Sequence, residues 1–317
     1  MALVWINKKR LEIDLREELE EYEWQRAKWF DEKLIACSPF RYDSSPSFFV
    51  NLENLPDKEI AGTWLDSGAS HGEEFRSGNF TQLLSFLRQE TEEETVDYLL
   101  EKYDLKPYSD LKLKMDLKMK APFIPLQAPE WLPDVTYLRS RGISLETSYE
   151  AEVLTSDNID KVAFLWKSPS GDIEAIKYRS TTQKTFFYEK GGKRLNELLY
   201  GIDFIYRNQC QTVAITEAEI DSLSWRTVGV GAVAVGGSNF SDKQASLLVR
   251  SGAKNIILSA DNDKVGRELS WKIFKKLEKY FTFWRVVFPP DIKDMNEWIV
   301  KHGATRPPLQ KLTRALK

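Results

Sequence analysis

Two apolar, β-branched runs about forty positions apart set the pattern of the C-terminal half. Val213-Ala214-Ile215-Thr216 stops at Glu217, and Ile256-Ile257-Leu258 leads to Asp261; after each, the period changes from strand-like to helix-like. The full alternation predicts strands at 212–216, 232–235, 255–260 and 283–288. Helices are predicted at 218–226, from a Ser241 cap to about Arg250, over 264–279, and from Asp294 onward. Every crossover is long enough for right-handed parallel connections, so this region reads as a parallel α/β sheet. Just upstream, Val162–Trp166, Ile173–Arg179 and Thr185–Tyr188 read as antiparallel strands, the first two joined by the turn Ser168–Asp172. Arg141–Thr147 precedes them as a short helical start, with Ser144 and Thr147 as capping groups.

The N-terminal third is patterned differently. Leu11, Leu15, Leu19, Tyr22 and Trp29 fall near helical spacing among Glu17, Glu18, Glu20 and Glu21, which predicts a helix over 10–35. A second helix is expected from Thr81 to Tyr103. Between the halves, Leu111, Leu113, Met115, Leu117 and Met119 alternate with Lys112, Lys114, Asp116, Lys118 and Lys120. Strict period two gives an edge strand with one apolar and one basic face. Its lysines either meet phosphates or block edge-to-edge aggregation. Pro122, Pro125, Pro129 and Pro133 then stiffen a linker. The fold class expected is an α+β N-terminal domain followed by an α/β parallel sheet with an antiparallel basic sub-domain.

Composition sharpens this. At 317 residues, with 10 Trp and 17 Phe, the chain can bury two or three cores. No apolar run reaches the ~20 residues that span a bilayer, and the start is too short for a secretion signal. The only cysteines are Cys37 and Cys210 and the only histidines His71 and His302, which excludes a disulfide framework. A net charge of −3 conceals an asymmetry: residues 1–106 carry 13 basic against 23 acidic side chains, and the remainder 32 against 25. Nucleic acid is therefore expected on the C-terminal two thirds.

Residues just past the carboxyl ends of parallel strands face the ligand crevice. If the two key strands are neighbours, Glu217, Asp261 and Asp263 converge there with no basic residue interposed. Such crowding calls for a cation, and hard oxygen ligands suit Mg²⁺ or Mn²⁺. Asp261 and Asp263 are the expected metal ligands, with Asp294 a third from another strand end. Asp221, one turn from Glu217, is either a further ligand or an acid complementing the helix dipole. Glu219 and Glu297 are expected to be solvated. Lys177, Arg179 and Lys184 are candidates for binding nucleotide or template phosphates.

The blocks Glu217-Ala218-Glu219-Ile220-Asp221, Asp261-Asn262-Asp263-Lys264-Val265-Gly266-Arg267 and Lys293-Asp294-Met295-Asn296-Glu297 resemble the Toprim module. More closely, they resemble the primase half of phage primase–helicases and the bacterial DnaG-type primases. Ala218 departs from the family's usual glycine. Cys37-Ser38-Pro39-Phe40-Arg41 and Ser45-Pro46-Ser47-Phe48 resemble the opening of the zinc-ribbon domain of these primases. Ser38, Arg41 and Trp64–Gly68 stand where the family's zinc ligands would fall, so no zinc is expected. Packing of Phe40, Phe48, Phe49, Trp64 and Phe75 is expected instead.

The resemblance implies a degenerate zinc-ribbon-like domain at 1–106, a linker at 107–135 and a basic α+β sub-domain of an RNA polymerase core at 136–204. A Toprim catalytic sub-domain at 205–303 and a basic tail at 304–317 (Arg306, Lys311, Arg314, Lys317) complete it. It further implies primer synthesis from ribonucleoside triphosphates on single-stranded DNA, with Glu217 as general base or ligand. No Gly-x-x-x-x-Gly-Lys-Ser/Thr loop occurs, so a separate replicative helicase is the expected partner, with no membrane and a cytoplasmic site, the host's if the gene is a phage's. Two other readings share the acids: a Toprim nuclease, and a non-catalytic accessory protein that binds single-stranded DNA.

Overall fold

The computed structural model describes residues 1–70, 75–104 and 123–312. The lysine-rich alternation at 111–120, His71, Arg314 and Lys317 lie outside the described residues. Two compact units are present, Met1–Ile124 and Pro125–Lys317.

The first unit opens with a hairpin of β1 (Ala2–Ile6) and β2 (Lys9–Ile13). Asn7 and Lys8 both take positive φ, as a two-residue hairpin turn that matches strand twist requires. The helix expected over 10–35 is replaced by β2, a six-residue α1 (Leu15–Glu20), β3 (Lys28–Trp29) and β4 (Lys33–Ala36). The reason is a period-two signal that Leu11 and Ile13 carry: both are buried while Arg10 and Glu12 face solvent, which fits a strand beside β1. Asp14 then caps α1, accepting the Glu17 N–H at 3.0 Å. A five-stranded antiparallel sheet runs β3-β4-β5-β6-β7, with β5 at Phe48–Asn51, β6 at Trp64–Asp66 and β7 at Ser77–Gly78.

The single helix expected from Thr81 is two, α2 (Phe80–Arg88) and α3 (Glu92–Tyr103). Gln89 turns left-handed at the C-terminus of α2, and Thr91 with Glu94 forms a capping box that restarts the chain as α3. Phe40 is the centre of the aromatic cluster, within 6 Å of the rings of Phe48, Trp64, Phe75 and Phe86. Phe49 falls on the opposite face of β5 and stays outside it.

Arg41 ties the loop after β4 to the end of β6. Its guanidinium meets both oxygens of Asp66 at 3.0 and 3.1 Å and Asp43 at 2.9 Å, while the Ser47 hydroxyl accepts from it at 2.7 Å. Burial pushes the Asp66 carboxyl up, but hydrogen bonds from Arg41, Ser38, the Gly68 N–H and Ser47 outweigh it and hold the group below its ordinary value. A depressed acid stabilises the fold above its unfolded-state pKa, and that stabilisation is lost as pH falls through the folded one. Arg41→Leu strands Asp66 without its cation and is expected to cost on the order of 3 kcal/mol at pH 7 by urea denaturation. The deficit should shrink as the carboxylate protonates in acid; an unchanged midpoint at pH 7 would show that the cross-link stabilises nothing.

The second unit holds two five-stranded sheets. One is antiparallel, in the order β12-β11-β10-β9-β8. Its members are β8 (Leu132–Pro133), β9 (Leu154–Thr155), β10 (Lys161–Lys167), β11 (Ile173–Ser180) and β12 (Phe186–Tyr188). Two short helices, α4 (Tyr137–Ser140) and α5 (Leu145–Glu150), lie between β8 and β9, and Ser144 caps α5.

After α6 (Ile202–Arg207) comes the other sheet: β13 (Thr212–Thr216), α7 (Glu219–Thr227), β14 (Gly231–Ala234), α8 (Asp242–Arg250), β15 (Asn255–Leu258), α9 (Lys264–Leu277), β16 (Thr282–Val286), α10 (Met295–His302) and β17 (Leu309–Lys311). Its order is β14-β13-β15-β16-β17, parallel except for β17. The chain goes one way from β13 to β14 and then crosses back to β15, so the order reverses between β13 and β15. A crevice opens at such a switch point, outside the strands' carboxyl ends.

Both faces of this sheet are covered, which is why its strands are continuous apolar runs. Val213, Ile215, Ile256 and Leu258 pack on one side with Leu248, Ile273 and Phe283. On the other, the small Ala214, Ala232 and Ala234 leave room for Trp166, Leu223 and Trp225.

Candidate active site

Four acidic side chains meet at that switch point. Glu217 follows β13, and its Oε1 accepts the Asp261 N–H at 3.1 Å, linking the two strand ends directly. Its backbone is fixed on the other side, where its carbonyl accepts the Gly236 N–H at 2.9 Å. Asp221 sits in the first turn of α7, is 5% exposed, and accepts the Asn296 N–H at 2.9 Å. Asp294 is the N-cap of α10 and accepts the Glu297 N–H at 2.7 Å. Carboxylate oxygens of Asp221, Asp261 and Asp294 all lie within 4.8 Å of one another.

The acid of the third block is thus in the group, and so is Asp221. Asp263 is not among the three: it caps α9, accepting the Gly266 N–H at 2.8 Å. Gly266 is required there, since a Cβ would come 2.1 Å from the Asp261 carbonyl oxygen.

Asn296 is a residue that sequence reasoning passed over. Its side chain donates to the Arg141 carbonyl at 2.7 Å and lies 3.1 Å from the Ser224 hydroxyl, so α10 is pinned to α7 beside Asp221. An asparagine two residues after an acid carries no signal of its own; only its second helix gives it meaning. Glu297, expected to be solvated, is partly exposed and accepts the Lys293 N–H at 2.6 Å.

Three expectations are corrected. A basic residue is interposed among the acids: Lys293 Nζ stands 3.1 Å from Asp261. Glu219 is buried, accepting from Trp166 Nε1 at 3.1 Å and Lys177 Nζ at 3.2 Å. Lys177 is therefore no surface cation; both members of the pair are 1% exposed. Lys177 Nζ also lies 4.7 Å from the ring centroid of Phe186 on the neighbouring β12. Arg179 is half-buried, and its Nε has no hydrogen-bond partner among the described residues. Lys184 lies in the turn between β11 and β12, also half-buried.

The electrostatics follow from crowding. Burial and then the Asp261 charge push Glu217 well above the ordinary carboxylate range. Burial, then Asp294 and Asp261, do the same to Asp221. Asp261 rises to about 6, burial outweighing the opposing pull of Lys293. Burial would lower Lys293, but the charges of Asp261, Asp263 and Asp294 prevail and raise it. One ammonium leaves a surplus of negative charge.

The donor set fits a hard divalent ion: carboxylate oxygens only, from three elements. Opposite ligands of a Mg²⁺ ion lie about 4 Å apart, close to the spacing here. Asp221, Asp261 and Asp294 would hold it, with Glu217 alongside.

Residues 214–299 match the family model described as Toprim-like. This stretch is similar to Toprim-like domains, and two curated proteins similar to the chain are DNA primases. The DNA primase of Clostridium acetobutylicum is 30% identical over 107 residues, covering 33% of this chain and 18% of the relative. That of Thermotoga maritima is 38% identical over 90 residues, covering 28% and 16%. The chain thus spans less than a fifth of either relative's length. Among solved structures, the zinc-binding and RNA polymerase domains of the Aquifex aeolicus primase superpose with a TM-score of 0.46 at 17% identity, covering 92% of this chain and 81% of that one. Among the described residues, no helix is long and apolar enough to cross a membrane.

Two predictions follow from this geometry. An acid raised on folding costs stability as pH climbs through its folded pKa, because the native state then loses a proton it held more tightly. At pH 5 Asp261 retains a proton that an ion must displace; at pH 7.5 that carboxylate is open to it. Millimolar Mg²⁺ should therefore raise the melting temperature more at pH 7.5 than at pH 5 in differential scanning fluorimetry. An equal increment at both values would detach the raised acids from ion binding. Separately, Lys177→Met leaves Glu219 buried alone and should destabilise the chain by about 3–5 kcal/mol, with Lys177→Met/Glu219→Leu recovering much of the loss. Equal stability of the single variant and the parent in urea would contradict the pairing.

Proposed function

We propose that the chain is a DNA primase, joining ribonucleotides into short primers on single-stranded DNA. The observation that carries this reading is the carboxylate group Asp221, Asp261 and Asp294 at the switch point, with Glu217 beside it, on a Toprim-like domain whose sequence relatives are DNA primases. The ion expected there is Mg²⁺ or Mn²⁺; bound, it neutralises triphosphate charge and eases ionisation of the attacking 3′-hydroxyl.

The chain's own groups supply the rest. Lys293 holds the Asp261 carboxylate in place and offsets part of the charge the four acids bring together. Glu217 spends one oxygen on the Asp261 N–H and keeps the other for the 3′-hydroxyl. Its raised pKa makes it a stronger base than an ordinary carboxylate. Asp263 contributes charge from the α9 cap without entering the group of three. Arg179 and Lys184, on the hairpin of the antiparallel sheet, are the candidates left for phosphates of template and triphosphate. A separate helicase would open the duplex, and the reaction belongs in the cytoplasm, where replication proceeds.

Protein, single-stranded DNA, Mg²⁺ or Mn²⁺ and labelled ribonucleotides should yield new labelled oligomers. Asp261→Asn should lower the yield by about 100-fold or more, the scale of losing several kcal/mol of charge stabilisation. Shortened DNA in place of new oligomers would make the protein a nuclease, and neither product would leave a binding protein.

A further inference from the structure

Beside the acids, between α9 and the β15–β16 strand ends, lies a cavity of about 370 Å³. Asp261 is among its lining residues, so it borders the proposed reaction centre. Its walls join aromatic rings to cations: Trp271 and Phe274 on α9, Phe288 after β16, with Arg267 and Arg285 at its margins. Trp271 is 49% exposed and stacks on Phe274, ring centroids 5.9 Å apart at 21°. A tryptophan so exposed on a soluble helix is not there to fill a core.

Its neighbours on α9 are the second observation. Arg267, Trp271 and Lys275 are spaced four and four, a single stripe about 12 Å long. Lys275 Nζ sits 4.6 Å from the Trp271 ring centroid. Neither Arg267 nor Lys275 enters an ion pair among the described residues. Arg285 is held by Gln310, its Nε donating to Oε1 at 2.8 Å, so its guanidinium is fixed at the cavity margin rather than consumed by an acid.

Alternating cation, aromatic face and cation is the arrangement that grips an unpaired nucleic-acid strand, because every base has a face to stack and every linkage a negative charge. We propose that this cavity receives an unpaired base of a single strand, stacked on Trp271, while Arg267 and Lys275 hold the phosphates to either side. The inference rests on reading this unit as one that works on nucleic acid, and names the surface on which the strand is held next to the acids. A free mononucleotide fits the stripe less well, since its phosphates sit on one side of the base only. The stripe offers cations on both.

The test is fluorescence anisotropy of a labelled oligo(dT) with the full chain, in EDTA and without ribonucleotides, so that binding is read apart from synthesis. Trp271→Ala should weaken binding by about 5- to 100-fold, and Trp271→Phe, which keeps a stacking face, should stay within a few fold of the parent. Arg267→Gln/Lys275→Gln should flatten the dependence of log affinity on log salt by about 1.4. Circular dichroism melts establish that each variant folds, and the double variant carries the test if Trp271→Ala does not. Parent-like binding by Trp271→Ala, an unchanged salt slope in the double variant, or displacement of the oligonucleotide by equimolar dTTP would each overturn the proposal. Loss of strand binding in Trp271→Ala from a protein that makes no primers would uphold this site and remove the primase reading. Primer synthesis with parent-like binding by Trp271→Ala would do the reverse.

Discussion

Mutual repulsion among carboxylates is the constraint around which the second unit is built. Glu217, Asp221, Asp261 and Asp294 belong to different turns and strand ends, yet the fold holds them nearly in contact. Left to themselves in water they would separate. Three are instead fastened through backbone, Glu217 to the Asp261 N–H, Asp221 to the Asn296 N–H and Asp294 to the Glu297 N–H, while Lys293 holds the Asp261 carboxylate. The fastening uses the acids as acceptors, so the carboxylates cannot turn away without breaking bonds in a poorly solvated place. Lys293 relieves part of the repulsion, and the raised acids show that it does not relieve all of it.

Strand order makes this crowding possible. Because the chain reverses direction across the sheet between β13 and β15, two strand ends open into one crevice with no connection covering it. Small residues on one sheet face admit Trp166 and Trp225. Trp166, in turn, holds Glu219 together with Lys177. The antiparallel sheet is thereby joined to the helix bearing Asp221 through a buried ion pair. This pair is weak evidence of stability; what it does is tie together two elements that are far apart in sequence.

The sequence was most legible where local period and burial agree. From Thr212 to His302 the strands and helices stand where apolar runs, caps and prolines put them, because sheet strands covered on both faces leave an unbroken apolar signature; Leu309–Lys311, read as part of a basic tail, adds an antiparallel edge strand. Asp261 and Asp294 were readable as acids behind strands. Asp221 could be read two ways, since only the fold of α10 against α7 makes it a partner of Asp294. Lys177 and Glu219 were misread for one reason: each looks like a solvated charge until its opposite, 42 residues away, is brought alongside. Lys293 was quoted as part of a motif, but nothing local says that it would face Asp261. In the first unit, helical spacing over residues 10–35 was coincidental. Leu11 and Ile13 obey the strand period of β1, a pairing that a window over the helix alone does not contain.

The central claim is that Asp221, Asp261 and Asp294 share one divalent ion. Anomalous diffraction from crystals grown with Mn²⁺ at neutral pH tests it most directly. The account predicts a strong peak within coordination distance of all three carboxylates. A clear map with no peak there, or with the ion held elsewhere by other residues, would contradict it.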